Sequence, residues 1–534
     1  MKARPPKKAP AQPVALPLLQ RLDQQLVGLG WRLLLGLGLL AFLLAAWTFD
    51  PKLALSGDNT EFMTLARSLV QGQGLSYISL PEPKPATKYP FGFPLMLAPL
   101  QWLAPGNYAA MNWLVVLFFA GSIPLVYLLA RDEWGRLPAL VVALWSATLP
   151  ALLDFSHQVM SEIPYLLFSL LALWLITRSL KHPQLRGNYW FIGGFACLMW
   201  AYYLRGVGLV LVVAVFLYLL LSRHYRHALI LGGGAFLLAL PWSLRNRALG
   251  DEGSYFKQLL MVNPYYPERG TLDLVGLLAR IKENSGVYLA YIVPDMFLPV
   301  GDSPGTILNL CSVILLATAI WAVAICFRQQ RHLLLLLYAT LYLGTVLVWP
   351  EQWAADRFLV PIVPVLLFFV VLVGAALYQW LAQRGLGAVG KGSLGGALVL
   401  VLTFNLARSS KLDQAGEADY RPAWKNYYEA GLWLKANTPR EAVISCRKDY
   451  WLYIVADRPC MVYPFKEPEE VIASLEEQGV DYVVVDQLVQ EGYNSTPKFL
   501  IPAIEKYPER FELAWEQPGS YTFIFRFLPK SWIQ

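Results

Sequence analysis

Apolar residues run through the chain in long stretches from Leu33 to Ala407, with polar and charged residues gathered in the gaps. The stretches lie at 33–49, 109–130, 137–153, 163–177, 189–203, 206–221, 228–242, 306–327, 333–349, 358–381 and 394–407. A run of about 17 or more apolar residues can cross a bilayer about 30 Å thick. The pattern therefore predicts a polytopic α-helical membrane protein with about eleven transmembrane helices. The fifth and sixth runs are short and separated only by the neighbourhood of Arg205, so half-helices or a tilted pair are the alternative there. The first run follows a basic, Pro-rich tail and ends in Trp47-Thr48-Phe49-Asp50 rather than in small residues, unlike a cleaved signal.

After about Ser409 the pattern changes. Strand-like runs at Ala442–Cys446, Cys460–Tyr463, Tyr482–Val485 and Thr522–Phe527 alternate with helix-like segments near 427–437, 467–478 and 498–507. This alternation predicts a small soluble α/β domain over residues 409–534. The expected organisation is a cytoplasmic tail at 1–30, a membrane domain at 31–408 with outside loops at 50–108 and 243–305, and the C-terminal domain. An amphipathic stretch from Leu272 to Tyr291 can lie along the bilayer surface.

Composition agrees with the membrane reading. Only 15% of the 534 residues are charged and 56% are hydrophobic, whereas a soluble surface needs roughly 25% charged residues. The net charge of +7 is spread over short loops, and no basic stripe points to nucleic acid. The positive charges set an orientation. Lys2, Arg4, Lys7, Lys8 and Arg21 precede the first run, and every second short loop is basic: Arg131/Arg136, Arg178/Lys181/Arg186, Arg223/Arg226, Arg328/Arg331 and Arg384/Lys391. By the positive-inside rule these face the cytoplasm. An odd number of spans then places the C-terminal domain outside a plasma (inner) membrane. Of five cysteines, Cys446 and Cys460 fall on neighbouring candidate strands of that domain, where a disulfide is open; no CxxC or HExxH pattern is present.

Ionisable residues kept beside span ends are candidates for function. Asp58 and Glu61 begin a helix-like stretch in the first outside loop, and local spacing alone favours a capping box there. Glu162 opens the fourth run, where a carboxylate also suits the helix macrodipole. His157 lies just before it, and a lone loop His is more often a surface residue. Lys88-Tyr89-Pro90-Phe91-Gly92, Arg205, Arg245 and Arg357 complete the set on the same predicted side. Acids and fixed cations at one interface can hold an anionic lipid head group and move a proton beside it.

At these residues the sequence resembles the GT-C-fold glycosyltransferases that use polyprenyl-phosphate sugars, the group of the protein O-mannosyltransferases and lipid A aminoarabinose transferases. The features run in order over about residues 30–370: Gly57-Asp58 with its helix, Gly72-Gln73-Gly74, Lys88-Tyr-Pro-Phe-Gly-Phe-Pro, Ser161-Glu162-Ile-Pro, Leu204-Arg205-Gly, Pro241-Trp-x-x-Arg245-Asn246 and Arg357-Phe-x-x-Pro361. The resemblance implies transfer of a sugar, usually with inversion, from a lipid-linked donor to a glycan, lipid or protein acceptor on the outer face. It implies Asp58 as general base, Glu162 in the same site, and Lys88, with Arg205 and Arg357, on the donor phosphate. Glu61, Tyr89, His157 and Arg245 are expected to line it. In some members the acids help bind a divalent metal, here Asp58 and Glu162. The family's frequent second acid is replaced by Asn59, which tells against an obligatory ion. The alternatives are a lipid or glycan transporter or flippase, which would string charges through the bundle, and a polysaccharide polymerase or ligase, which would carry its acids in a late loop.

Overall fold

The computed structural model describes residues 23, 25–55, 57–181, 187–250, 255–264, 266–298, 305–329, 331–489 and 494–530. Most of the basic N-terminal tail, with Lys2, Arg4, Lys7, Lys8 and Arg21, and the loop residue Arg186 lie outside them. The chain forms a polytopic helical membrane domain followed by an α/β domain.

The expectation of about eleven transmembrane helices is corrected. Among the described residues six helices are long and apolar enough to cross a membrane: Tyr108–Trp134, Glu162–Ser179, Tyr225–Ala248, Gly305–Gln329, Val363–Gln383 and the helix that begins at Gly387. A seventh span results if Arg136–Thr148 and Pro150–Ser156, bent by 57°, count as one. The bend follows from Leu149, held extended before Pro150. The other apolar runs form shorter apolar helices of 17 residues or fewer. Trp31–Trp47, Tyr189–Leu204, Gly208–Leu221 and Leu333–Val348 contain 17, 16, 14 and 16 residues. At 1.5 Å per residue the shortest reaches only about 21 Å. Backbone breaks set these lengths: Gly30 (φ 49°) and His332 (φ 62°) take positive φ, outside the right-handed helical region, and Arg205 is extended at φ −155°, ψ 133°. An apolar run measures composition, whereas a span also needs unbroken helix.

Two ends of the bundle differ. At one end Arg136 pairs with Asp23 at 3.2 Å, Arg178 with Asp132 at 3.2 Å, and Arg331 donates to the Glu133 carbonyl at 2.8 Å. Three of the basic segments thus meet the chain's start on one side. At the other end lies the first loop, with helix Gly57–Val70, a two-stranded ribbon of β1 (Ser76–Tyr77) and β2 (Lys84–Pro85), and helix Gly92–Leu103. The stretch expected to lie along the membrane surface forms helix Leu274–Val287, exposing Leu274, Val275 and Leu278 while burying Arg280 and Asn284.

The C-terminal domain is a five-stranded mixed sheet, ordered β4 (Cys460–Met461), β3 (Ile444–Ser445), β5 (Tyr482–Val485), β7 (Phe523–Phe527), β6 (Phe511–Glu516). The pairs of β3 with β4 and β5 are parallel; β7 runs antiparallel to β5 and β6. Cys446 and Cys460 are both buried free thiols. The domain sits directly on the first loop. The Cys460 amide donates to the Ser79 carbonyl at 2.7 Å, the Trp451 indole to the Ala54 carbonyl at 3.3 Å, and Arg67 pairs with Asp457 at 2.5 Å. Helix Asp449–Ala456 supplies most of that face.

Candidate active site

Helix Gly57–Val70 places Asp58 in its first turn and Glu61 one turn later, so the two carboxylates share a face. They are turned toward cations. Asp58 accepts from the Arg357 guanidinium at 3.0 Å, with Lys88 Nζ at 3.9 Å from its other oxygen. Glu61 accepts from Lys88 at 2.9 Å and from the Tyr77 hydroxyl at 3.3 Å. Across the site Glu162, with no exposed side-chain surface, pairs with Arg205 at 2.7 Å, and Arg205 also donates to the Ser161 hydroxyl at 3.1 Å. Phe358 joins the two halves, its ring 4.8 Å from the Arg357 guanidinium carbon and 5.7 Å from that of Arg205.

Close backbone approach fixes these distances. Gly92, at the end of the Lys88-Tyr-Pro-Phe-Gly turn, lies against the chain just before Arg205. A Cβ built there would come within 2.6 Å of the Tyr203 carbonyl oxygen, so only glycine fits. Gly208 closes the other side of the Arg205 turn, where a Cβ would meet Tyr202 Cα at 2.5 Å. Tyr89 is buried against Phe62 at 4.6 Å, and the Lys88 ammonium lies 4.5 Å above its ring. The short turn Asp356–Phe358 that carries Arg357 is held by the Tyr342 hydroxyl on the Phe358 carbonyl at 2.8 Å and the Tyr288 hydroxyl on the Ala355 carbonyl at 3.2 Å.

The charges shape one another. Burial pushes the Asp58 carboxyl up, but Arg357, then Lys88, the Tyr89 hydroxyl and Arg205 outweigh it and leave it below the usual carboxylate range. Burial wins at Glu61, which is held above its ordinary value despite Lys88, with the Asp58 charge adding. Burial pulls Arg357 down, but Asp58 and then Glu162 more than restore it.

The structure places Asp58, Glu61, Lys88, Tyr89, Glu162, Arg205 and Arg357 near one another. Two residues stand apart. Arg245 reaches the Ala86 carbonyl at 2.9 Å and the Leu75 carbonyl at 3.2 Å, while Asn246 donates to the Thr87 carbonyl at 3.3 Å. It clamps the backbone leading to Lys88 and does not touch the carboxylates. His157 is buried, edge-on to Phe49 at 6.3 Å between ring centres. Tyr77, Phe358, Asp449 and Tyr450 join the site unannounced. The last two come from the C-terminal domain, with Tyr450 packed 5.3 Å from the Tyr77 ring; no local sequence signal links them to Glu61. Among the described residues no three His, Cys, Asp or Glu side chains converge, and Asp58 and Glu162 each already face an arginine.

Comparison with known proteins bears on the fold that carries these residues. Residues 88–243 match the family model for dolichyl-phosphate-mannose-protein mannosyltransferase. No curated protein sequence matches the chain. Among solved structures, ArnT from Cupriavidus metallidurans bound to undecaprenyl phosphate superposes with a TM-score of 0.59 at 14% identity, over 93% of this chain and 98% of that one. AglB, the archaeal oligosaccharyltransferase from Archaeoglobus fulgidus, in complex with an inhibitory peptide and a dolichol-phosphate, superposes with a TM-score of 0.56 at 13% identity, over 85% and 69%. At such identities the likeness establishes the shared fold.

Proposed function

We infer that this chain is a membrane glycosyltransferase of the GT-C fold that moves a sugar from a polyprenyl-phosphate donor to an acceptor, and we propose that Asp58 is its general base. One observation carries the reading: Asp58 sits between Arg357 at 3.0 Å and Lys88 at 3.9 Å, so an acid and its phosphate-binding cations occupy one spot. In a single inverting displacement the acceptor oxygen attacks the anomeric carbon and the carbon–phosphate-oxygen bond breaks. The electron pair leaves with polyprenyl phosphate, and the acceptor proton passes to Asp58. Lys88, Arg357 and Arg205 are placed to absorb the charge that develops on the leaving phosphate. Arriving phosphate also draws Lys88 away from Asp58, which raises the basicity of the carboxylate as the donor seats.

The N-terminus is proposed to be cytoplasmic, with the site and the C-terminal domain outside the plasma membrane. The parity of eleven spans no longer supports this. Two contacts replace it: the basic loops meet at one end of the bundle, and the C-terminal domain rests on the first loop at the other. A transporter would need charges along a path, whereas these three carboxylate–cation pairs lie together. The acceptor hydroxyl belongs to a glycan, lipid or protein. The test is incubation of the purified protein with radiolabelled polyprenyl-phosphate sugars and envelope acceptors. Label covalently attached to acceptor, with release of polyprenyl phosphate, supports the reading; label that only crosses a vesicle membrane defeats it.

A further inference from the structure

Before a donor arrives the three ion-paired carboxylates Asp58, Glu61 and Glu162 already occupy Lys88, Arg205 and Arg357, and Asp449 adds a further acid near Glu61. A polyprenyl-phosphate sugar is a phosphodiester and adds one negative charge. Burying an uncompensated charge is costly, so one carboxylate must give way. Asp58 keeps Arg357 and Glu162 keeps Arg205, both through arginines whose charge is permanent. Glu61 depends on Lys88, a flexible ammonium 2.9 Å away that also lies within 3.9 Å of Asp58.

Glu61 is faced by titratable groups from three elements. On its own helix it faces Asp58; from the first loop come Lys88 and the Tyr77 hydroxyl; from the C-terminal domain come Asp449 and Tyr450. The third element packed on its helix, Gly92–Leu103, has no titratable side chain. Among the described residues Lys88 is thus the one cation ion-paired with a carboxylate that is only 8% exposed and shares its surroundings with two other acids.

We propose that Glu61 is a positioning residue that holds Lys88 ready and, when the donor phosphate takes the ammonium, exchanges it for a proton. This deepens the polyprenyl-phosphate reading and rests on it. The Lys88–Glu61 ion pair opens, Lys88 closes on a phosphate oxygen, and one proton from solvent forms an O–H bond on Glu61. The Tyr77 hydroxyl, 3.3 Å away, can turn from donor to acceptor to meet it. Holding Lys88 on Glu61 also keeps the ammonium from neutralising Asp58. Burial already lifts the Glu61 carboxyl above its usual range with Lys88 beside it, and loss of Lys88 lifts it further.

The test measures binding of polyprenyl methyl phosphate, a phosphodiester of constant charge, to the full-length protein in nanodiscs between pH 5.5 and 8.5. For the native protein, affinity is expected to fall as pH rises, by up to about tenfold per pH unit, the limit for one proton taken up. Glu61→Gln should bind with no such slope, and at pH 8.5 at least as tightly as the native protein, because Gln does not compete for Lys88. Glu61→Asp should restore the slope. Should Glu61→Gln not fold, Tyr77→Phe serves instead. Removing a hydrogen bond to the charged form raises the Glu61 pKa, so the fall in affinity should begin at higher pH. A flat native profile overturns the proposal, as does an unchanged slope in Glu61→Gln or an unmoved one in Tyr77→Phe. Absence of binding by any form at any pH would instead overturn the donor reading itself.

Discussion

Removing Arg205 should destabilise the fold through a residue it leaves behind. Glu162 has no exposed side-chain surface, and neither of its oxygens makes a hydrogen bond of good geometry; its 2.7 Å approach to Arg205 is its ion pair. Breaking a buried pair by deleting one partner costs about 3–5 kcal/mol, because the other charge stays buried. Arg357 also feels the Glu162 charge and compensates part of it, which favours the low end, about 3 kcal/mol. That is roughly a hundredfold in the folded-to-unfolded ratio. Apparent unfolding temperature in detergent should therefore drop clearly in Arg205→Ala. Adding Glu162→Gln removes the stranded charge and leaves only a buried amide, worth about 1–3 kcal/mol, so the double variant should be more stable than Arg205→Ala alone. Arg205→Ala melting like the native protein would refute this reasoning, as would a double variant less stable than that single one.

Lys88→Ala should weaken binding of polyprenyl phosphate by about ten- to a hundredfold, the worth of a charge-assisted hydrogen bond, with Lys88→Arg retaining part; unchanged affinity, read by a titration in nanodiscs, would move the phosphate to Arg205 or Arg357. Gly92→Ala forces a methyl against the Tyr203 carbonyl and should cost about 1–3 kcal/mol by overpacking, seen as a lower unfolding temperature together with weaker donor binding. A C-terminal reporter active only in the cytoplasm should stay silent; a strong signal would invert the orientation.

The clustering of charged residues was more legible in the sequence than the architecture that holds it. Asp58, Lys88, Glu162, Arg205 and Arg357 stand out because charge beside an apolar run is costly, and the structure gathers all five. Helix count was not legible, because hydropathy does not register the extended Arg205 that ends one helix or the left-handed His332 that delays the start of another. Arg245 reads as a site cation on the same logic, yet its guanidinium serves backbone carbonyls; a charge pattern cannot tell a strut from a ligand. Glu61 looks like half of a capping box, and only tertiary contact with Lys88 and Tyr77 shows otherwise. Strand β6 escaped notice because it is an edge strand with a mostly exposed pattern, Phe-Glu-Leu-Ala-Trp-Glu, in place of an apolar run.

The most direct test of Asp58 as general base is the turnover of Asp58→Asn, measured as label transferred from a polyprenyl-phosphate sugar, alongside its fold and donor affinity. Asn is nearly isosteric and caps helices about as well as Asp, so the first-loop helix should be undisturbed. It cannot take the acceptor proton, and loss of a general base typically costs about 10²–10⁴ in rate. Donor binding should persist, since removing a carboxylate from beside Lys88 and Arg357 leaves both cations for the phosphate. The account predicts a folded, donor-binding variant with turnover reduced to that extent. A folded Asp58→Asn with near-native turnover would contradict it and transfer the role of base to Glu162.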